Sequence, residues 1–462
     1  MSKRIVKLIE NSNYSEREFQ ALYSLYKYRC LSFDQLYALH YNKSKLGTRD
    51  VNTGYMRRRM AQFKKDGLIE KMSKIEKDCP PLFTLTTDGI KVVRTYFNLS
   101  SDNESKEDGI FATDLTYAEI KVEPKFAFHQ FYLNCFAINF NKMFENVNHF
   151  AYVDERHMSK SQNIRPDGLC VIKKQKVIID GQETFIPETH FFLENDMGTE
   201  TVTKIRQKFE RYRAFLDSSK HDPNIRIVVL FICKDSKLST KECTDNALVK
   251  TYQENPGIKR RIKNIKKAVA EAMIDYVKDN VEVFVGTQPK LLAAVKCLYL
   301  PEYFGMNKKA LLPDVPGVLA KFNNVDLEFK GIDKLIKFTN GVEYDYYAKS
   351  DVYQKSFIFL EYFGDPMSVI HKIEFHKKNT LAFRQTMHRE LNLVVIANKE
   401  ENLIALNEVC ELSNPKYDSI MFTTVNRLKQ FPLEQALFKF TTYGTATFKD
   451  NFKTLVPDNT IC

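Results

Sequence analysis

The sequence predicts a multidomain α/β (α+β) protein, and three observations carry that expectation. The chain has 462 residues, which at roughly 100–200 residues per domain suggests two to four domains. Hydrophobic residues make up 44% and charged residues 27%, so the chain can bury a substantial core and is not mainly disordered. Helix-like and strand-like apolar patterns alternate along most of its length. No run of ~18 uncharged apolar residues occurs, and the start "MSKRIVKLIENSNYSERE" lacks an apolar core, so neither a membrane span nor a secretory signal is expected. Nine scattered cysteines, never spaced CxxC, point to reduced thiols in a cytoplasmic protein and away from a disulfide framework or a zinc site.

The net charge is +11, from 69 Lys+Arg against 58 Asp+Glu. Residues 1–98 hold 19 of those bases and 10 of the acids, so most of the excess lies in the first fifth of the chain. A small basic domain on a nearly neutral body is a common design for nucleic-acid binding. Within it, "SEREFQALYSLYKYR" places Phe19, Leu22, Tyr23 and Tyr26 at helical spacing, with Ser15 and Glu18 as a capping box. "SFDQLYALHY" opens with a second such pair, Ser32 and Gln35. Thr53 opens a third helix whose stripe is Met56, Met60 and Phe63, ended by Gly67. "LIEKMSKIEKDCPPLFTLT" reads as a hairpin, and residues 87–97 as a closing helix.

Three helices followed by a hairpin is the order of a winged helix-turn-helix, in which the third helix enters the major groove and the hairpin touches the backbone. The outward face of that helix carries Tyr55, Arg57, Arg58, Arg59, Gln62, Lys64 and Lys65, and the wing offers Lys71, Lys74 and Lys77. Arg can bond guanine bidentately, Gln can bond adenine, and Lys mainly pairs with phosphate. Double-stranded DNA is the expected partner; the alternative is a winged helix that touches only protein, with its arginines solvated.

Residues 99–123 are polar and read as a linker. From residue 124 to 300 the pattern becomes α-β-β-β-α-β-α-β, which predicts a mixed sheet flanked by helices. Acids mark its strand ends: Asp154 and Glu155 close "HFAYVDE", Asp167 follows Pro166 at the start of "RPDGLCVI", and Glu194 and Asp196 close "THFFLEND" on one face. Acids converging on one sheet edge can hold Mg²⁺ or Mn²⁺, which activates water and stabilises phosphodiester charge during cleavage. The expected metal ligands are Asp167, Glu194, Asp196 and Glu155. The alternative is that these acids are caps, turn residues or partners of nearby cations. The basic run Lys259, Arg260, Arg261, Lys263, Lys266 and Lys267 either tracks phosphates or forms a solvated helix face.

Pro166-Asp167 and Glu194-x-Asp196 resemble the PD-(D/E)xK nuclease superfamily, which implies a restriction-endonuclease-like core. The Lys that this superfamily places two residues after the second acid is Asp196 here, so activity would need Lys204 or Lys208 from the next helix. "HQFYLNCF", "DERH", "RPDGLCVI" and "FFLENDMGTE" with "KIRQKFERYRAF" resemble the replication-relaxation family of plasmids and other mobile elements over roughly residues 14–235. The matching landmarks are His129, Glu155, Asp167, Glu194, Asp196, Gly198-Thr199-Glu200 and Tyr212, while Met197 stands where that family often has Arg. The resemblance implies a role in replication, transfer or maintenance of mobile DNA, together with replication, transfer or regulatory proteins.

Residues 301–462 form a last α/β segment, either a degenerate copy of the preceding one or an unrelated unit. "SFIFLEYFGDPMSVIHKIEF" aligns with "THFFLENDMGTETVTKIRQKF" through one insertion, setting Glu361 on Glu194, Phe363 near Asp196 and Asp314 opposite Asp167. The leading expectation is a sequence-specific duplex-DNA-binding protein whose nuclease-like domain is a scaffold. A metal-dependent endonuclease or nickase and a transcriptional regulator with a signal-binding body are the alternatives. No His-x-His motif and no GxxxxGK[ST] loop occurs, so neither a relaxase nor an ATPase is expected. Winged-helix binders are often dimers, which makes a homodimer an expectation, although no heptad segment argues for one.

Overall fold

The structure is a computed structural model that describes residues 5, 9, 14–40, 52–72, 79–99, 115–144, 150–158, 164–179, 182–218, 222, 224–235, 254–276, 280–300, 327–330, 344–350, 355–362, 365–441 and 444–447. Helix α1 (Glu16–Tyr28) begins at the expected capping box, with the Ser15 N–H donating to Glu18 Oε2 at 2.6 Å. A two-residue strand, β1 (Leu31–Ser32), precedes α2 (Phe33–His40). The second capping box is reciprocal: the Ser32 N–H meets Gln35 Oε1 at 2.9 Å and the Gln35 N–H meets Ser32 Oγ at 3.1 Å.

The third helix, α3 (Asn52–Lys65), buries Met56, Met60 and Phe63. It ends at Gly67, whose φ of 73° favours a residue without a Cβ; the Leu68 and Gly67 N–H groups return to the carbonyls of Phe63 and Lys64. Strands β2 (Ile69–Lys71) and β3 (Leu82–Leu85) and helix α4 (Thr87–Tyr96) follow. The sheet runs β1-β3-β2, all antiparallel. β1 is not among the elements that the sequence pattern marks. Gly89 in α4 allows a close approach, because a Cβ there would lie 2.0 Å from the Leu68 carbonyl oxygen.

The central elements are α5 (Tyr117–Ile120), α6 (Ala127–Met143), β4 (Phe150–Asp154), β5 (Gly168–Ile172), β6 (Gln175–Ile179), β7 (Gln182–Ile186), β8 (Thr189–Asp196), α7 (Val202–Leu216), β9 (Arg226–Cys233), α8 (Pro256–Met273), β10 (Val281–Gly286) and α9 (Gln288–Leu298). Five strands form a mixed sheet in the order β10-β9-β8-β5-β4, and β6 and β7 form a separate hairpin that the sequence reading missed. β8, β9 and β10 are parallel, while β5 runs antiparallel to β8 and β4 antiparallel to β5. Alternation along β8 serves both faces. Phe191 meets Phe140 of α6 at 5.1 Å between ring centroids, and Phe192 meets Tyr212 of α7 at 5.8 Å.

One continuous core joins α1–α4, α6, α9 and the Phe191 face of this sheet. The stretch read as a linker takes part: Leu115, Ile120 and Val122 are buried in that core. The other face shares a second core with α7, α8 and the C-terminal elements. The seven described cysteines are all unbridged thiols.

The C-terminal elements are β11 (Leu327–Lys330), β12 (Tyr346–Ser350), β13 (Lys355–Tyr362), α10 (Met367–Met387), β14 (Glu390–Ala397), α11 (Glu400–Cys410), β15 (Ile420–Thr424), α12 (Val425–Gln430), β16 (Phe438–Thr441) and β17 (Gly444–Thr447). Strands β11 to β17 lie side by side in chain order. The first five repeat the central pattern, antiparallel, antiparallel, parallel, parallel, just as β4-β5-β8-β9-β10 do.

Their register corrects the sequence alignment by one residue. β8 pairs along its full length with β9, and β13 along its full length with β14. In the central sheet the Asn195 N–H donates to Asp167 Oδ2 at 2.7 Å; in the C-terminal sheet the Glu361 N–H donates to Asp345 Oδ2 at 2.6 Å. Asp167 and Asp345 each directly precede the strand antiparallel to the donor. Asp345 thus matches Asp167, Leu360 matches Glu194 and Tyr362 matches Asp196. Glu361 stands at the position of Asn195, and Asp314 and Phe363 lie outside the described residues.

The basic run on α8 is largely consumed by packing. Arg261 binds Asp196, Lys263 meets Glu408 at 2.9 Å, Lys266 binds Asp365 and Lys267 meets Glu411 at 2.9 Å. Lys259 and Arg260 remain exposed. Three of these four pairs tie α8 to the C-terminal elements, so the helix is a seam between two sheets, and the run as a whole is neither of the two alternatives, a phosphate track or a solvated face.

Candidate nucleic-acid interface and an adjoining cleft

Helix α3 has one face in the core and one in solvent. Gly54, Arg57, Arg58, Ala61, Lys64 and Lys65 are exposed, a stripe at three- and four-residue spacing opposite Met56, Met60 and Phe63. Among the described residues no carboxylate pairs with Arg57, Arg58, Lys64 or Lys65; Arg57 lies 5.6 Å from the Phe33 ring. Lys71 on β2 is also exposed.

Three other expected reading residues bond within the domain, although Tyr55 is itself exposed. The Tyr55 hydroxyl donates to Glu18 Oε1 at 2.8 Å, and Arg59 donates to Glu18 Oε2 at 3.1 Å. Glu18 is 1% exposed, so it fixes the start of α1 to α3. Burial works against its charge, but the Ser15 N–H, Tyr55 and Arg59 outweigh that and hold its pKa below the ordinary value. Gln62 spends its amide on Asp66, at 2.9 Å to each carboxylate oxygen. Lys74 and Lys77 lie outside the described residues.

The acids of the central sheet are distributed differently from the expected cluster. Glu194 and Asp196 do share a face of β8, but both are covered, at 3% and 1% exposure. From α7, Lys208 reaches Glu194 Oε2 at 2.8 Å and the Tyr212 hydroxyl reaches Oε1 at 2.5 Å. Lys204, one turn earlier, is exposed and bears no ion pair among the described residues, so Lys208 is the lysine of this group. From α8, Arg261 grips both oxygens of Asp196. Asp167 faces His129, with Nε2 to Oδ2 at 3.5 Å, and accepts the Asn195 N–H.

Burial pushes the Glu194 carboxyl up to about 7, against the pull of Lys208. Burial opposes the charge of Lys208, but Glu194, Asp167 and Glu200 outweigh it and raise the ammonium. Burial likewise opposes charge on His129 and Asp167. Their mutual attraction nevertheless raises the imidazole and lowers the carboxyl.

Asp154 and Glu155 are held by Arg29, which the sequence reading did not single out. Its Nη1 lies 3.3 Å from Asp154 Oδ1 and 3.4 Å from Glu155 Oε1, its Nε donates to the Ile120 carbonyl at 2.9 Å, and Gln130 adds a further bond at 3.2 Å. Arg29 has φ 66° and ψ −43°, and the Cys30 N–H closes a three-residue turn onto the Tyr28 carbonyl at 2.8 Å. This turn is strained for a residue with a side chain, at a cost of order 1–3 kcal/mol. Surrounding bonds over-determine it: Asn134 donates to the carbonyls of Tyr28 and Cys30, and Thr84 to that of Arg29.

Between these groups lies a cleft of about 580 Å³ at the carboxyl ends of β8 and β9. Arg29, Phe126, His129, Asp167, Lys208 and Lys234 are among the residues that line it. Glu155 reaches it too, whereas Glu194 and Asp196 do not. Among the described residues no group of three His, Cys, Asp or Glu side chains stands close enough to hold a metal ion. The four expected ligands each have a cationic partner of their own: Arg29 and Arg156 for Glu155, His129 for Asp167, Lys208 for Glu194 and Arg261 for Asp196. A divalent cation needs converging, charged oxygens, and this donor set does not fit Mg²⁺ or Mn²⁺. The reason is physical: helices α7 and α8 bring their own cations onto the two β8 acids.

No helix among the described residues is long and apolar enough to cross a membrane. Residues 22–229 match the family model described as Replication-relaxation. No curated protein and no solved structure matches the chain.

Proposed function

Residues 22–229 make this chain a member of the replication-relaxation family, and from that premise we propose that it binds duplex DNA of a plasmid or other mobile element during replication or transfer. Helix α3 is the reading element of a winged helix-turn-helix, and the central sheet is a scaffold with the ancestry of a nuclease. The observation that carries this reading is the exposed cationic stripe of α3: Arg57, Arg58, Lys64 and Lys65 stand on one side without carboxylate partners among the described residues. Arg57 and Arg58 are the residues suited to base edges, and Lys64, Lys65 and Lys71 are suited to phosphates. Tyr55, Arg59 and Gln62 brace the helix through Glu18 and Asp66.

The same reading treats residues 327–424 as a degenerate copy of the central unit. Shared strand order, shared directions and the paired Asp167 and Asp345 contacts support it.

The test is binding of the full chain to a duplex site selected from random sequence, followed across salt concentrations. The Arg57→Ala/Arg58→Ala double variant is expected to lose at least tenfold in affinity for the selected site, and the Lys64→Ala/Lys65→Ala double variant about 2 units of the log–log salt slope. Unchanged affinity and slope would reject α3 as the reading element.

A further inference from the structure

The exposed face of α3 leaves the cleft beneath Arg29 without a role. We infer that this cleft receives one unpaired nucleotide of a DNA strand, with the phosphate near Lys234 and Lys121 and the base on Phe126. The inference rests on the reading of the protein as DNA-binding, but on different residues.

Size and place come first. The volume of about 580 Å³ lies within the roughly 300–1,000 Å³ usual for small-ligand sites, and it suits one nucleotide but not a duplex. The cleft opens at the carboxyl ends of parallel strands, where open α/β sheets bind ligands.

Charge comes next. The acids of the wall are matched: Glu123 by Lys125, Glu155 by Arg29 and Arg156, Asp167 by His129, and Glu200 by Lys208. Lys121 and Lys234 have no carboxylate partner among the described residues. Each rests on an aromatic ring, Lys121 at 5.2 Å from Tyr117 and Lys234 at 4.0 Å from Phe128. Two cations that no carboxylate engages suit a phosphodiester.

The wall also offers a stacking surface. Phe126 is 53% exposed, uncommon for a large apolar side chain, and it lines this cleft. Lys125 covers its ring at 4.9 Å but is itself 68% exposed, so a base can displace it at small cost. Exposed aromatic rings beside cations are the usual means of holding single strands, and every base has a face to stack.

The experiment uses the full chain and a labelled oligo-dT of about 12 nucleotides, followed by fluorescence anisotropy beside the duplex assay. Phe126→Ala is expected to weaken single-strand binding roughly fivefold or more, and to leave duplex binding and the melting temperature unchanged. Lys234→Gln should lower the single-strand salt slope by about 0.7. Single-strand affinity that ignores Phe126→Ala, or an equal loss on both DNA forms, overturns the inference. Competition by dTMP as effective as by the oligonucleotide also overturns it, in favour of a free nucleotide. If the wild type binds no duplex yet shows Phe126-dependent single-strand binding, the α3 reading falls and the cleft inference stands. If Arg57→Ala/Arg58→Ala abolishes duplex binding while Phe126→Ala changes nothing, the reverse holds.

Discussion

At matching ladder positions the central sheet holds Glu194 and Asp196, and the C-terminal sheet holds Leu360 and Tyr362. Both sheets keep an aspartate just before the antiparallel strand, and in both it accepts the N–H of the penultimate residue of the neighbouring strand. The difference separates two roles that a carboxylate can play on a sheet edge. The aspartate that ties strand to strand persists with or without charged neighbours, so that contact is architectural. The charged pairs Glu194–Lys208 and Asp196–Arg261 are an addition found in one sheet alone.

The largest expected effect comes from forcing the second sheet to resemble the first. Leu360 is 2% exposed, and Leu360→Glu would bury a carboxylate without the Lys208 and Tyr212 that serve Glu194. A loss of about 3–5 kcal/mol in urea unfolding is expected; a loss below ~1 kcal/mol would break the equivalence.

Lys208→Met attacks the central pair from the other side. Burial has raised Glu194 to about 7, so the folded state binds its proton more tightly than the unfolded state does. The stabilisation from that proton is complete below the ordinary value of 4.5 and is lost as pH rises through about 7. Removing the ammonium should therefore cost about 3 kcal/mol near pH 8 and clearly less near pH 5, where the carboxyl is neutral. Glu194→Gln should remove this group's share of the pH dependence. Unfolding curves at the two pH values measure both, and an equal cost of Lys208→Met at each would count against the protonated state.

Asp167→Asn and Asp345→Asn sharpen the shared part of the comparison. Each keeps an oxygen for the strand N–H, so losses of about 1 kcal/mol or less are expected. Only Asp167→Asn should also lower the His129 pKa toward its ordinary value, because the carboxylate that raises it is gone. Proton NMR of the imidazole reads this, and a His129 titration unmoved by Asp167→Asn would dissolve the pair. The smallest expected effect is that of metal. Millimolar Mg²⁺ or Mn²⁺, added or chelated, should shift the melting temperature by less than about 1 °C, whereas a bound cation would raise it.

The elements were largely legible in the sequence because their signals are local. Two capping boxes, Gly67 and the apolar run at residues 189–196 marked ends that the structure reproduces. The partners of the acids were not legible. Asp196 finds its guanidinium 65 positions away and Asp154 finds Arg29 at 125, and only the packing of distant elements decides such pairs. The exposed face of α3 was legible as a basic face, yet Arg59 and Gln62 could not be told from Arg57 and Arg58 without Glu18 and Asp66 in view. Likeness misled at the second sheet. "FLEN" and "FLEY" invite a match of Glu194 with Glu361, and a strand slipped by one residue presents its other face.

The bonds around Arg29 have a practical corollary. With Asn134 capping the carbonyls of Tyr28 and Cys30, and Gln35 donating to the Phe131 carbonyl, the opening helices are sewn to the body by backbone stitches. The N-terminal part is therefore no detachable cassette. A chimaera that grafts residues 1–98 onto another protein would carry a kinked chain whose guanidinium had lost its anchors, and substitutions on α3 are better made in place.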